Sequence, residues 1–285
     1  MMIELLDVSY VRLGTKDIQT STDFATRILG LEVSDAGRNT RHLRSDQRGH
    51  TLYYHEGDPG EQVVGFEIRQ AEDLDSAAAT LEELGREVHW GTRDECDSRH
   101  VRNFIAFREP SGLKIELVVR PEFSGKRHFP SRDAGITGFS HVGIFTQDSQ
   151  RDEAFWTQVC NARVSDRIGD VPLLRINEIH HTVALVPAQH GGLQHINHQV
   201  ESTDDIMRSY NLLQQHNVPI VWGPGRHPTS GARFLYFQGP DGMTFEYSVG
   251  VHEVDEETYR ERQFGFEPFS LCMWGAKSKL SGLEN

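Results

Sequence analysis

A chain of 285 residues, 37% hydrophobic and 25% charged, has the composition of a globular protein and excludes the disordered, collagen-like and membrane-spanning classes. Its 29 Lys and Arg against 42 Asp and Glu give a formal charge of -13, which disfavours nucleic acid and anionic membrane as partners. Three scattered cysteines (Cys96, Cys160, Cys272) offer neither a disulfide framework nor a thiolate metal site, and MMIELLDVSYVRLG leads into no long apolar core, so a cytoplasmic location is expected.

In chain order, VSYVRLGTKD at 8–17 predicts an opening strand, and STDFATRILG a helix that stops at Gly30. Strand-like runs HTLYYHE and VVGFEIRQ follow, then a helix in LDSAAATLEELG, then the hairpin FIAFREPSGLKIELVV, turned at Pro-Ser-Gly. After a polar stretch from Pro121 to Gly135 the order starts again. FSHVGIFTQD at 139–148 repeats the opening strand, and RDEAFWTQVCN predicts a helix stopped at Asn161, which like Gly30 tolerates a left-handed cap. Strand-like HHTVALV and LQHINHQVE, helical DDIMRSYNLLQQHN and the hairpin FLYFQGPDGMTFEYSV complete the second round. Ser9, Thr15 and Asp17 stand 131 residues before Ser140, Thr146 and Asp148, as Val33-Ser34-Asp35 stands before Val164-Ser165-Asp166. Trp90-Gly91 precedes Trp222-Gly223 by 132, and Phe107, Pro110, Gly112 and Glu116 precede Phe237, Pro240, Gly242 and Glu246 by 130. Residues 1–121 and 136–251 are therefore read as two copies of one domain, with a tail over 252–285. The expected class is α+β, each copy pairing two β-α-β-β-β units into a part-open barrel.

The copies differ where chemistry would sit. Tyr10 lies opposite His141, Val63 opposite His195, and Glu116 opposite Glu246. Taken singly, a strand histidine is usually a satisfied core or surface residue. Here three ligand types fall at matching positions of one repeat, with further histidines gathered around them. Two imidazoles and one carboxylate form a facial set that suits Fe(II) or Mn(II) and leaves positions open for substrate and dioxygen. A structural zinc site would instead be closed.

The second copy resembles the catalytic domain of type I extradiol catechol dioxygenases of the vicinal oxygen chelate superfamily, and the likeness covers nearly the whole chain. The segments that carry it are SHVGIFTQD, HHTVALV, LQHINHQVESTDDI and GRHPTSGARFLYFQGPDGMTFEYSVG. In the last, His227, Tyr236 and Glu246 keep the family's spacing of nine and then ten residues. The resemblance implies an inert first copy and metal ligands His141, His195 and Glu246 for Fe(II), with Mn(II) possible. His198 is the other candidate for the middle ligand; the pairing of Val200 with Ile68 and the family's ligand position both choose His195, and His198 then reads as a surface or interface residue. For the acid–base residue the family's HHT motif favours His181, while counting back from His195 can land on His180. Tyr236 is implied to hydrogen-bond the bound catechol, with His227 supporting it as a donor.

The implied reaction opens a substituted catechol beside its hydroxyls, incorporates both atoms of O2 and yields a muconic semialdehyde-type product, as in aromatic-compound degradation. The implied partners are a catechol and O2, in a homo-oligomer. Pro228-Thr229 departs from the threonine-asparagine pair common in relatives that cleave biaryl catechols, and Gly143 is expected to leave room for a substituted ring. The aromatic-rich tail QFGFEPFSLCMWG is expected to close over the pocket, to pack between subunits or simply to dock on the second barrel. Two alternatives stand: a glyoxalase-type isomerase or transferase on the same scaffold, which usually divides its ligands between copies, and a metal-free small-molecule binding protein, which would drop them.

Overall fold

The computed structural model describes residues 2–284. Its first half holds β1 (Asp7–Thr15), α1 (Ile18–Arg27), β2 (Glu32–Ala36), β3 (Thr40–Arg44), β4 (Leu52–Glu56), β5 (Gln62–Ile68), α2 (Ala71–Glu83), β6 (His89–Trp90), α3 (Arg93–Asp97), β7 (Val101–Arg108) and β8 (Lys114–Pro121). The second holds β9 (Ile136–Thr146), α4 (Ser149–Ala154), β10 (Arg163–Ile168), β11 (Val171–Arg175), β12 (Val183–Pro187), β13 (Gly192–Val200), α5 (Thr203–Gln215), β14 (Ile220–Arg226), β15 (Arg233–Gln238) and β16 (Thr244–Val249). The tail adds β17 (Arg262–Phe264) and α6 (Pro268–Leu271).

Two mixed sheets result, ordered β2-β3-β4-β1-β5-β8-β7-β6 and β14-β15-β16-β13-β9-β12-β11-β10-β17. Read from opposite ends they have one topology, with β17 appended to the second. In each, the opening strand lies parallel to the fourth and antiparallel to the fifth, and the fifth runs parallel to the eighth. The fold is the α+β arrangement of paired β-α-β-β-β units.

Local chemistry explains the ends of the elements. The Asp17 carboxylate accepts from the Gln19 and Thr20 amides and starts α1, and Gly30 at φ +81° ends it. The second copy departs from the sequence expectation here. Its helix opens into a π-helical turn over Phe155–Val159, and the chain leaves through an extended Cys160. Asn161 is not a left-handed cap: its side chain accepts from the Leu5 amide at 2.9 Å and donates to the Leu5 carbonyl at 3.0 Å. It ties the start of the chain to the second sheet instead.

The core runs across both copies. Trp156, 1% exposed, packs on Phe66 with ring centres 5.4 Å apart. Arg132, in the linking stretch, donates to the Ile28 carbonyl and to Tyr247 Oη. The tail docks on the second sheet: β17 pairs in parallel with β10, and Leu271, Cys272, Leu280 and Leu283 join a buried cluster with Trp222, Phe234 and Tyr236. Among the described residues no helix is long and apolar enough to cross a membrane.

Candidate active site

Three neighbouring strands position the cluster. On β13, Asn197 pairs with His141 of β9 on one side and with Glu246 of β16 on the other. His195, two residues earlier on the middle strand, shares the face of Asn197. His141 Nε2 lies 3.0 Å from Glu246 Oε2 and 3.1 Å from His195 Nε2, and His195 Nε2 lies 3.4 Å from Glu246 Oε2. All three residues are buried. His195 is oriented from behind, its Nδ1 donating to Gln194 Oε1 at 2.6 Å while Gln194 Nε2 donates to the Ser281 carbonyl at 2.8 Å. That fixes the lone pair of Nε2 toward the cluster.

These donors fit a divalent cation. Glu246 Oε2 is buried without a well-aligned hydrogen bond, and it faces His195 Nε2, a second acceptor, at 3.4 Å, with the single His141 Nε2 beside both. Ligands roughly 2.1 Å from one ion and at right angles to each other lie about 3 Å apart, close to the separations here. Burial works to raise the Glu246 carboxyl, yet the imidazoles of His141 and His195 hold it well below the usual carboxylate range. Burial also lowers His195 and keeps it in the neutral form that binds metal.

His180 and His181 lie in the bend before β12, not in the strand, and they separate into different environments. His181 lines an apolar pocket beside the cluster, its ring 4.3 Å from that of His141. His180 stands behind it, fully buried. Its Nε2 donates to Asp166 Oδ2 at 3.0 Å, so its Nδ1 accepts from His181 Nδ1 at 3.1 Å. The chain leaves His181 Nε2 with its lone pair. Burial, then the nearby His141 and His180, push His181 well below the ordinary imidazole range. Asp166 is held by Arg262 and by Tyr259 Oη at 3.1 Å, both from the tail.

Tyr236 and His227 reach the same pocket with a donor order opposite to the one expected. His227 Nδ1 faces the Leu271 carbonyl at 3.0 Å, an acceptor only, so Nδ1 carries the proton. Burial pushes this imidazole down to about 4, so it is neutral and Nε2 accepts from Tyr236 Oη at 3.3 Å. The Tyr236 oxygen therefore keeps lone pairs for a group in the pocket. Burial, then Glu246, raise Tyr236 well above its ordinary value. The remaining walls are apolar, among them Ile168, Val171, Leu173, Trp222, Leu271 and Leu283, and no Lys or Arg lines them. Thr229 lines the pocket as well, and its carbonyl accepts from Arg262.

Two further expectations are corrected. The space left by Gly143 belongs to the histidine and not to a substrate ring: a Cβ there would lie 2.3 Å from His195 Nδ1 and 2.6 Å from Gln194 Oε1. Gly143→Ala is expected to turn His195 away and weaken metal binding about 10–100-fold, the range seen when the support of a ligand is lost; titration of the metal-free variant with Mn(II) reads it. His198 is not a surface residue. It is 1% exposed, packs 5.9 Å from the Phe139 ring, and neither ring nitrogen has a partner.

Burial pushes His198 down to about 4, below the unfolded value of about 6.5, so protonation favours the unfolded chain. Its contribution is complete above pH 6.5 and is lost as pH falls toward 4, by about 3 kcal/mol at most. His198→Leu removes two unpartnered buried nitrogens and is expected to raise stability by about 1 kcal/mol at pH 7 and to flatten the decline between pH 6.5 and 4. Urea unfolding at several pH values measures both.

The first copy shows what replaces such a cluster. Glu116, fully buried, accepts from Tyr10 Oη at 2.6 Å and from Arg99 at 2.8 and 2.7 Å. A guanidinium stands where a cation would, and Glu116 is a satisfied salt-bridge residue.

Sequence reasoning missed Gln194, Asp166, Tyr259 and Arg262. Asp166 belonged to the repeated Val-Ser-Asp, which was the one available signal. Tyr259 and Arg262 reach Asp166 across 93 and 96 residues, and Gln194, next to His195 in sequence, is itself held by the Ser281 carbonyl 87 residues on.

The family model described as "Glyoxalase/Bleomycin resistance protein/Dioxygenase superfamily" matches residues 7–117 and again 138–247. The chain is 23% identical to an iron-dependent extradiol dioxygenase of Rhodococcus jostii, with 96% of this chain and 97% of that protein aligned. It is 26% identical to a biphenyl-2,3-diol 1,2-dioxygenase of Metapseudomonas furukawaii, over 97% and 95% of the two chains. Among solved structures, the Mn(II)-bound glyoxalase from Novosphingobium aromaticivorans superposes with a TM-score of 0.88 at 26% identity, covering 99% of this chain and 95% of that one.

Proposed function

Given that this chain belongs to the glyoxalase/bleomycin resistance protein/dioxygenase superfamily, we infer that it is an extradiol dioxygenase, opening a substituted catechol with O2 to a muconic semialdehyde-type product. The observation that carries the reading is the His141, His195 and Glu246 cluster, contributed by one repeat and set beside an apolar pocket that holds a neutral histidine and a tyrosine. An isomerase with ligands divided between the copies is not favoured, because Arg99 and Tyr10 already satisfy the first copy's glutamate.

His141, His195 and Glu246 would hold the metal, Fe(II) or Mn(II). When bound, such an ion brings catechol and dioxygen together and carries electron density from one to the other. The protein's own residues manage protons and position. His181 Nε2 is the neutral base that takes a hydroxyl proton as the catechol enters, and it returns a proton later in the cycle. His180 and Asp166 hold the tautomer that keeps Nε2 free, and Asp166 balances the charge that forms on the pair. Tyr236 Oη, donating to His227, accepts a hydrogen bond from the bound diol. The apolar walls exclude water and favour an apolar substituent over a carboxylated ring, which would find no cation there.

The exposed Phe266, Phe269, Met273 and Trp274 of the tail support association of copies through that face. Light scattering of the wild type against a Phe269→Ser/Trp274→Ser variant tests it.

The activity is tested with protein loaded anaerobically with Fe(II) and given 2,3-dihydroxybiphenyl or 3-methylcatechol. One O2 consumed per yellow product formed is the expected result. A verified bound metal with no oxygen uptake would overturn the dioxygenase reading in favour of an isomerase or transferase.

A further inference from the structure

Among the described residues one other cluster of metal-ligating side chains exists, and it lies in the copy that lacks the first; His42 and His100 are stacked in it with ring centres 4.4 Å apart, so the His100 ring must swing to share an ion with His42. His42 on β3, His50 in the turn before β4 and His100 just before β7 each bring one ring nitrogen within 4.8 Å of the others. His42 and His50 are 5% and 4% exposed. His42 Nε2 lies 3.0 Å from the Ser98 carbonyl, which can only accept, so the ring's proton is on Nε2 and the lone pair on Nδ1. That Nδ1 is buried with no hydrogen-bond partner, and so is His50 Nε2. Buried polar atoms of this kind are uncommon, because each forfeits the hydrogen bonds it made to water.

Negative charge is close at hand. Asp35 pairs with His42 across β2 and β3 and brings its carboxylate 3.8 Å from His42 Nδ1, while a Glu122 carboxylate oxygen lies 3.9 Å from His100 Nδ1. The opposing feature is Arg12, which donates to the Ser98 carbonyl at 3.1 Å and stacks over Tyr53. Its charge acts on His42 and His50 and works against a cation there, while the neighbouring Arg99 is bound to Glu116.

We propose that His42, His50 and His100 form a second divalent-metal site, independent of ring cleavage. Three imidazoles with a carboxylate in reach suit zinc, cobalt, nickel or copper and not the oxygen-seeking magnesium or calcium. The site is no remnant of the catalytic set, whose counterparts here are Tyr10, Val63 and Glu116, and His42 corresponds by the constant offset to Leu173. It joins β3 of one β-α-β-β-β unit to the approach to β7 in the other. A cation there clamps the open side of the first barrel.

The test uses the full chain, stripped of metal anaerobically and titrated with Co(II), with bound metal counted by mass spectrometry and imidazole coordination read from the visible spectrum. The wild type is expected to bind two equivalents. Glu246→Ala loses one of them, and His100→Asn weakens the other at least about a hundredfold. Asparagine retains the left-handed backbone of His100, at φ +50°, and the Fe(II)-loaded variant is expected to cleave catechols at the wild-type rate. In the Glu246→Ala background, Zn(II) is expected to raise the melting temperature, and His100→Asn to abolish that rise while leaving the metal-free melting temperature unchanged. One equivalent in the wild type, lost in Glu246→Ala, overturns the second site, as does a second equivalent that survives His100→Asn. Neither result bears on the dioxygenase reading.

Discussion

His195→Ala is expected to leave the protein without bound iron or manganese and without ring cleavage, and Glu246→Gln to do the same by removing the only anionic donor of the three. Losing even a contact that supports a ligand weakens metal binding about 10–100-fold, so loss of a ligand itself should exceed a hundredfold. A readout independent of turnover exists. A cation that binds only the folded chain stabilises it by about 2.7 kcal/mol at a hundred times its Kd, so Mn(II) should raise the melting temperature of the wild type and not of either variant. The metal-free Glu246→Gln protein should be somewhat less stable than the metal-free wild type at neutral pH, because His141 and His195 favour the ionised carboxylate that the substitution removes, so the Mn(II) response is read as the shift from each protein's own metal-free melting temperature. His198→Leu, one strand position past Asn197, should keep the full Mn(II) response. A Mn(II) response that disappears in His198→Leu and persists in His195→Ala would reassign the middle ligand.

The cluster was legible because the chain carries its own comparison. Two copies with a nearly constant offset align Tyr10 with His141 and Val63 with His195, and the difference stands out against a shared frame. The sheet then explains why residues 54 and 51 positions apart meet: the fifth strand of the unit lies between the first and the eighth, and Asn197 faces both other ligand positions. What sequence could not give was the direction of a side chain where the ladder is irregular. One register shift precedes His195 and another separates Asn197 from His198, so a count of three residues does not tell whether His198 faces water or core. Gly143 misled for a related reason, since small size signals that something approaches closely and not what does. The donor order of Tyr236 and His227 depended on a carbonyl of the tail, Leu271, 44 residues downstream of His227. The anchoring of Asp166 needed a strand that begins almost a hundred residues later. Each of these is a contact that periodicity and spacing do not encode.

His181→Ala is expected to retain the metal and to lower kcat by about 10²–10⁴, the usual contribution of a positioned acid–base group, while His180→Ala acts through it. The two are separable because their partners differ. His181 lines the pocket, whereas the His180 ring hydrogen-bonds only His181 and Asp166. Without His180 the Nδ1 proton of His181 loses its acceptor, and the ring is free to take the tautomer that places a proton, and no lone pair, toward the catechol. The His180→Ala defect should therefore be smaller, on the order of tenfold to a hundredfold. The pH profile discriminates further. Burial keeps His181 neutral well below the ordinary imidazole range, so its work as a base should persist as pH falls below 6.5, and wild-type kcat should decline only at a lower pH. In His181→Ala that limb should vanish along with the rate; in His180→Ala it should remain and move. Oxygen uptake in single-turnover and steady-state experiments across pH 5–9, with metal content measured on the same samples, gives both quantities. An unchanged rate in His181→Ala with full metal occupancy would remove the histidine from proton transfer and leave Tyr236 as the nearest group able to take its place.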